Sequence, residues 1–426
     1  MSIKQASFRK AWHRSLRAIL ARLPRDVRFG LYRRMIDCDP SPDPRLELKV
    51  ANTQDELEAC FRILHDAYVS AGFMKPSPSG MRVTAYHALP TTTTLCAKYD
   101  NRVVGTISMI REGVFGFPMQ AAFDLSPVRT QAGQIAEISA LAVHPDFRKT
   151  GGSILFPLMK FMYEYCTQYF DTRHLVIAVN PDRIEMYESL LFFQRLQENT
   201  IAHYDFANGA PAVGATLDLS RARDVFRRTY ASRAPRKNLY RYFVDIRLPN
   251  IQLPRRRYHL TNDPVLTPQM MEYFFTRCSN IFEELDDRRR ALLWSIYDQP
   301  EFRPVLPLLP ASHVSSAAMR RHQRFSMRCP AEFKITDSSD GQTLVVTVIE
   351  LSLSGFQAHS KLPLPVGASG SAVVELGTDE HSQLQASVVR EYDRDGTFYG
   401  FRVVEADEAW RRCVAALETR HVGDEL

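Results

Sequence analysis

The chain has no uninterrupted apolar run near the ~20 residues that a bilayer crossing needs, because charge breaks each candidate well before that length. A spanning helix is therefore not expected, and the N-terminal segment lacks the apolar stretch of a signal peptide. Cysteine is scarce: seven residues, Cys38, Cys60, Cys96, Cys166, Cys278, Cys329 and Cys413, with no CxxC pair. That argues against a disulfide framework or a zinc site; no metal is expected, and a cytoplasmic chain is. GxxxxGK[ST] is absent, which disfavours a P-loop. No GxGxxG follows a strand with a ribose-binding acid beyond it, which disfavours a dinucleotide fold. Low-complexity tracts and internal repeats are missing too.

What is present is the composition of a globular protein, 45% hydrophobic and 24% charged over 426 residues. That length exceeds one ordinary core and suggests two or three domains. The net charge of +6 is unevenly placed. Residues 1–38 hold ten Lys/Arg and two Asp, and the remainder is slightly acidic. Within "SFRKAWHRSLRAILARL", Phe8, Trp12, Leu16, Ile19, Leu20 and Leu23 recur at helical spacing, with Arg9, Lys10, Arg14, Arg17 and Arg22 mostly on other faces. A basic amphipathic helix can lie on an anionic membrane, here the inner face, or against an acidic partner. It can equally pack on its own domain with a solvated basic face, and the sequence leaves both open. No nucleic-acid polymer is expected as a partner.

The chain divides by composition into four parts: a basic helix and linker (1–45), an α/β segment (46–245), a helical connector (246–316) and an all-β segment with a last helix (317–426). "CDPSPDPRLEL" ends the first part. Thr53 and Asp55 are candidate caps for the helix that follows, and "TTLCAKYDNRVVGTISMIRE" reads as a hairpin turning at Asp100-Asn101. Then come a strand, a glycine loop and a long apolar helix in "AEISALAVHPDFRKTGGSILFPLMKFMYEY", a buried strand in "RHLVIAVN", and a helix that Pro181 opens. From 331 to 405 short strands alternate with turn signals, as in a small antiparallel barrel.

Gly151 and Gly152 precede a helix N-terminus, where unsatisfied amides favour an anion, and Arg148 and Lys149 add positive charge. "VHPDFRKTGGSILF" resembles the [Q/R]xxGx[G/A] loop of GNAT-type acyltransferases, with Arg148, Gly151 and Ser153 at the motif positions. Together with "FRILHDAYVSAGFM", "HALPTTTTLCAKYDNRVVGTISMI", "NPDRIEMYESLLFF" and "ANGAPAVG", residues 46–245 resemble the N-acyl amino acid synthases, relatives of the acyl-homoserine lactone synthases. The resemblance implies a GNAT-like mixed sheet flanked by helices. It also implies transfer of a long-chain acyl group, carried on the phosphopantetheine of acyl carrier protein or CoA, to the α-amine of an amino acid, with no prosthetic group. Tyr187 matches the family tyrosine that reprotonates the leaving thiolate.

The reaction and fold that the resemblance implies then suggest the remaining roles. An amine must lose a proton as it attacks, and Glu137 is the candidate base. The oxyanion needs fixed donors, expected from the strand amides near Leu141 and Ala142. Arg82 and Arg111 are candidates to grip the acceptor's carboxylate, while His65 and His87 receive no role. Two alternatives stay open: a GNAT enzyme using short acyl-CoA on a small amine or protein, and a non-catalytic sensor of acyl chain or nucleotide.

In the last segment, "MRRHQRF" carries Arg320, Arg321 and Arg324, an RxxxR pair before the first strand, and "ELSLSGF" follows with Glu350, Ser352, Ser354 and Gly355. Paired guanidiniums fork onto phosphates and stack on bases. The pattern resembles a PilZ domain, the bacterial receptor module for cyclic di-GMP, which implies that nucleotide as effector. Glu350 departs from it, since the family has Asp or Asn there.

Overall fold

The computed structural model describes residues 23–148, 150–170, 172–262, 265–297, 299–309, 324–336, 343–392 and 398–418. Most of the basic N-terminal helix, Lys149, Arg320 and Arg321 lie outside the described residues. The chain forms two compact units, one from residues 1–82 and 94–252, the other from 83–93 and 253–426.

In the first unit, strands order as β1 (Leu46–Val50), β2 (Thr92–Tyr99), β3 (Arg102–Arg111), β4 (Gln134–Val143), β5 (Thr172–Val179), β8 (Ala210–Asp218) and β6 (Gln194–Arg195), with β7 (Ile201–Tyr204) pairing β8. Strands β4 and β5 run parallel, whereas β3–β4 and β5–β8 are antiparallel. The hairpin turns at Asp100 and Asn101 with φ of 49° and 63°, a left-handed pair of the kind that suits a two-residue loop. Among the described residues, the helices of ten residues or more that accompany the sheet are α1 (Arg25–Arg34), α2 (Gln54–Ala71), α3 (Leu155–Tyr169), α4 (Pro181–Leu191) and α5 (Leu219–Tyr230). The Thr53 hydroxyl caps α2 by accepting from the Glu56 amide at 3.3 Å. Pro181 opens α4, where Asn180 accepts from the Asp182 amide. Gly105 lets α3 press onto β3, since a methyl there would lie 2.8 Å from Leu158 and 2.9 Å from Ile154.

The second unit holds a closed six-stranded antiparallel barrel in the order β10-β11-β14-β13-β12-β9. Its strands are β9 (Phe325–Ile335), β10 (Thr343–Ser352), β11 (Gly355–Ser360), β12 (Ser369–Gly377), β13 (Glu380–Glu391) and β14 (Phe398–Ala406). Alternate residues point inward; Phe356 stacks on Phe401 at 4.5 Å, and Trp410 of the last helix (Glu408–Glu418) meets Phe356 edge-on. The connector is less helical than its composition suggests. Residues 253–262 form neither helix nor strand apart from a bridge from Leu260 to Met327 of the barrel, and the helical segments described start at Pro268. Residues 83–93 pack within this unit too, the Tyr297 hydroxyl donating to the Ala88 carbonyl at 2.7 Å. Among the described residues no helix is long and apolar enough to cross a membrane, and none of His, Cys, Asp or Glu cluster as metal ligands.

Candidate functional site

The decisive geometry lies between β4 and β5. Their ladder reaches Glu137 opposite Val176 and stops there, while both strands continue for several residues. Beyond that point the strands part. A cavity of about 270 Å³ opens between Ser139, Ala140 and Leu141 on one side and Ala178, Val179 and Asn180 on the other. It continues over the sheet face beneath Met159, Met162 and Tyr163 of α3 and Ala222 and Phe226 of α5. Its walls are largely apolar.

A bulge shapes the mouth. Thr106 pairs with Ala142 and Ser108 with Ser139, so Ala140 and Leu141 together oppose Ile107. Ala140 sits at φ 56°, a left-handed conformation for a residue with a side chain. A bulge leaves one residue outside the ladder, which releases a backbone amide beside the cavity. Leu141 was expected to provide such an amide. Ala142, the other expected donor, is back in register with β3 and does not line the cavity; Ala140 takes that position instead.

Glu137 is 1% exposed and faces the opposite side of β4 from the cavity-lining Ile138. It lies by a core of Phe117, Met119, Phe123 and Val176, and accepts a hydrogen bond from the Met119 amide at 3.0 Å. Burial pushes its carboxyl up to about 8, opposed by that amide. Tyr187 lines the cavity with its ring edge-on to Phe193 at 5.9 Å. Burial raises its hydroxyl above the ordinary value, and the Arg183 charge pulls the other way.

The glycine loop has the conformation that only glycine adopts freely, with φ of 67° at Gly151 and 91° at Gly152. Arg148 folds back to donate from Nε to the Val143 carbonyl at 2.8 Å, and the Ser153 and Thr150 hydroxyls meet at 2.6 Å. The Asp37 carboxylate, gripped by Arg236 at 2.6 Å, lies beside Gly151; sequence reading gave no sign of that pair.

Arg82 is buried over the Tyr68 ring at 4.1 Å and donates to the Phe206 carbonyl at 2.5 Å. Among the described residues no carboxylate pairs with it. Arg111 points the other way, toward the α3 side of the sheet, with its guanidinium 3.9 Å from the Phe170 ring centre. The two arginines are not brought together, and neither lines the cavity.

The cavity wall opposite the sheet is aromatic. Phe243 meets Phe226 and Tyr163 edge-on, each at 6.0 Å. It is fixed by the fully buried Lys160 of α3, which donates to the Phe243 carbonyl at 3.3 Å and pairs with Glu164 at 2.7 Å. An ion pair at that depth needs such extra hydrogen bonds to offset its desolvation.

Residues 59–218 match the family model described as N-acyl amino acid synthase FeeM, and residues 319–418 match the PilZ domain. The first unit carries an N-acyl amino acid synthase domain. It is thus an N-acyltransferase, and a PilZ domain follows it. Among solved structures, the chain is similar to FeeM, an N-acyl amino acid synthase from uncultured soil microbes, with 22% identity over 43% of this chain and 95% of that one, TM-score 0.36. The CoA-dependent acyl-homoserine lactone synthase BjaI, with SAM and isopentyl-CoA, is 21% identical over 43% and 88%, TM-score 0.34. The PilZ domain of YcgR from Escherichia coli, with c-di-GMP, is 19% identical over 24% and 94%, TM-score 0.20. A search of curated proteins gave no match. The synthase match ends at Asp218, so α5 and Phe243, which wall the synthase cavity, lie beyond it.

The PilZ barrel has its own polar cavity of about 340 Å³, lined by Arg324, Glu350, Ser352, Ser354 and Gly355 from the two motifs. Gln357, Arg390, Tyr392 and Arg402 join them, and sequence reading missed all four. Gly355 is required by closeness, since a methyl there would lie 2.5 Å from the Phe401 carbonyl oxygen. The Ser352 hydroxyl donates to the Gly355 carbonyl, closing the turn at 3.0 Å. Arg390 lies over the Tyr392 ring at 4.1 Å and donates to its hydroxyl. Glu350 pairs with Arg324 at 3.3 Å, both half-buried.

Proposed function

We propose that this chain joins a long-chain acyl group, presented as a pantetheine thioester, to the α-amine of an amino acid, and that cyclic di-GMP in the barrel regulates the reaction. The observation that carries this reading is the parting of β4 and β5 just past Glu137. A thioester coming from the apolar cavity and an amine coming from the Glu137 face meet in that gap. The glycine loop and Arg148 hold the arm's phosphate, with Lys149 and Ser153 contributing. The amine nitrogen attacks the carbonyl carbon and its proton passes to Glu137, directly or through water. The negative oxygen is held by amides of the Ala140–Leu141 bulge. As the tetrahedral centre collapses, the C–S bond breaks and the sulfur takes the Tyr187 proton.

Arg82 suits the acceptor's carboxylate better than Arg111 does. A buried guanidinium without a facing carboxylate among the described residues is an incomplete pair, and an amino acid would complete it. Mass spectrometry of lipids from cells overexpressing the chain tests the whole reading, with and without raised cyclic di-GMP. An acylated amino acid whose level follows the nucleotide is expected; an unchanged lipid profile would overturn it.

In the barrel, Arg324, Arg390 and Arg402 form a phosphate-binding set, and Glu350 competes for the first of them. Glu350→Gln is expected to tighten cyclic di-GMP by up to about five-fold, the size of a half-exposed ion pair. Arg390→Ala is expected to weaken it roughly ten- to 150-fold through a lost charged hydrogen bond. Isothermal titration of the full chain measures both.

A further inference from the structure

The cavity over the sheet has a neighbour. A second cavity, of about 320 Å³, lies in the same unit, and three residues line both: Phe193, Leu217 and Ala222. The wall between them is one side chain thick. On its far side the surroundings are ionic and polar: Glu188 is held by Arg25 and by Arg195, each at 3.0 Å, and Asp218 by Arg173 at 3.2 Å. An alkyl chain gains free energy for each methylene that it buries on the near side. Past the wall it would strip water from ion pairs instead, at a cost that methylene burial does not offset.

We infer that Phe193, Leu217 and Ala222 are the stop that sets acyl-chain length, with Ala222 the position that decides it. This rests on the cavity being the acyl site of the proposed reaction. Leu217 is in register with Leu175 of β5 at the base of the cavity. Ala222 stands one helical turn before Phe226 on α5, so both face the cavity. It is the smallest of the three side chains, and enlarging it removes space from the base without touching Glu137, Tyr187 or the glycine loop. Since α5 begins after the matched synthase segment ends at Asp218, chain length is set partly by sequence outside that segment.

The test uses the purified full chain and a graded series of straight-chain substrates, read in two ways. Turnover is followed by thiol release from acyl thioesters. Occupancy is followed by equilibrium binding of free fatty acids of the same lengths. Ala222→Phe, or the milder Ala222→Leu if the first does not fold, should move both optima to shorter chains. Each displaced methylene costs about four-fold in kcat/KM. Leu217→Ala should move both optima to longer chains. Optima unmoved in both variants, or an absence of fatty-acid binding in the wild type, would overturn the assignment. Optima that move in binding while no thioester is turned over would uphold the stop and sink the synthase reading instead.

Discussion

Replacing Glu137 by Gln should lower kcat by roughly 10²- to 10⁴-fold, the usual worth of a positioned general base, with little change in donor KM. The substitution preserves shape and keeps an oxygen for the Met119 amide. It removes only the capacity to take a proton. The raised carboxyl also predicts the pH profile. A base must be ionised to act, so wild-type kcat should rise with its midpoint near pH 8 and level off above it, and the residual rate of the variant should lack that step. Stability should run the opposite way. An acid whose folded pKa lies above its unfolded one binds more protons when folded, so stability falls as pH rises between the ordinary value of 4.5 and about 8. Gln is neutral throughout, and its melting temperature relative to wild type should therefore rise across that window. A variant with unaltered kcat would leave Glu137 as a buried structural acid.

Gly152→Ala should raise the donor's KM and lower kcat/KM by about five- to 150-fold, the equivalent of 1–3 kcal/mol of backbone strain. At φ 91° a side chain is strained, and the new methyl would lie 2.7 Å from the Phe156 ring. Relieving both would turn the loop's amides away from the proposed phosphate site. Gly72 supplies the control. It has φ 78° with open space around it at the end of α2, so Gly72→Ala should lower the melting temperature and leave KM alone. Steady-state kinetics with melting curves separates the two, and equal KM effects from both variants would remove the glycine loop from donor binding.

Much of this was legible because local signals and chemistry coincided. The Gly151-Gly152 pair, Pro181 and the Asp100-Asn101 turn each need a particular backbone, and the residue types announce it. Glu137 was visible as a carboxylate in an apolar strand. The bulge was not, because nothing in Ser139-Ala140-Leu141 advertises a left-handed alanine; the mismatch with β3 imposes it. That is why Ala140, rather than Ala142, lies at the cavity mouth. Arg390, Tyr392 and Arg402 escaped for a different reason. They reach the PilZ motifs through the pairing of β14 with β11 and β13, a long-range register that no local pattern carries. Arg111, read as a partner of Arg82, lies on the other face of the sheet, since strand alternation sends it with Ala136 rather than with Glu137.

Helix α3 begins at the glycine turn, and two turns later Lys160 and Tyr163 hold the Phe243 wall. A rise of 1.5 Å per residue puts about 12 Å between Leu155 and Tyr163. In the proposed reaction one stiff rod would therefore bear both the pincer for the head of the donor and the clamp along its tail. Any tilt of that rod would loosen or tighten the two grips in concert, so a substrate with the wrong tail should also be held less firmly by its head.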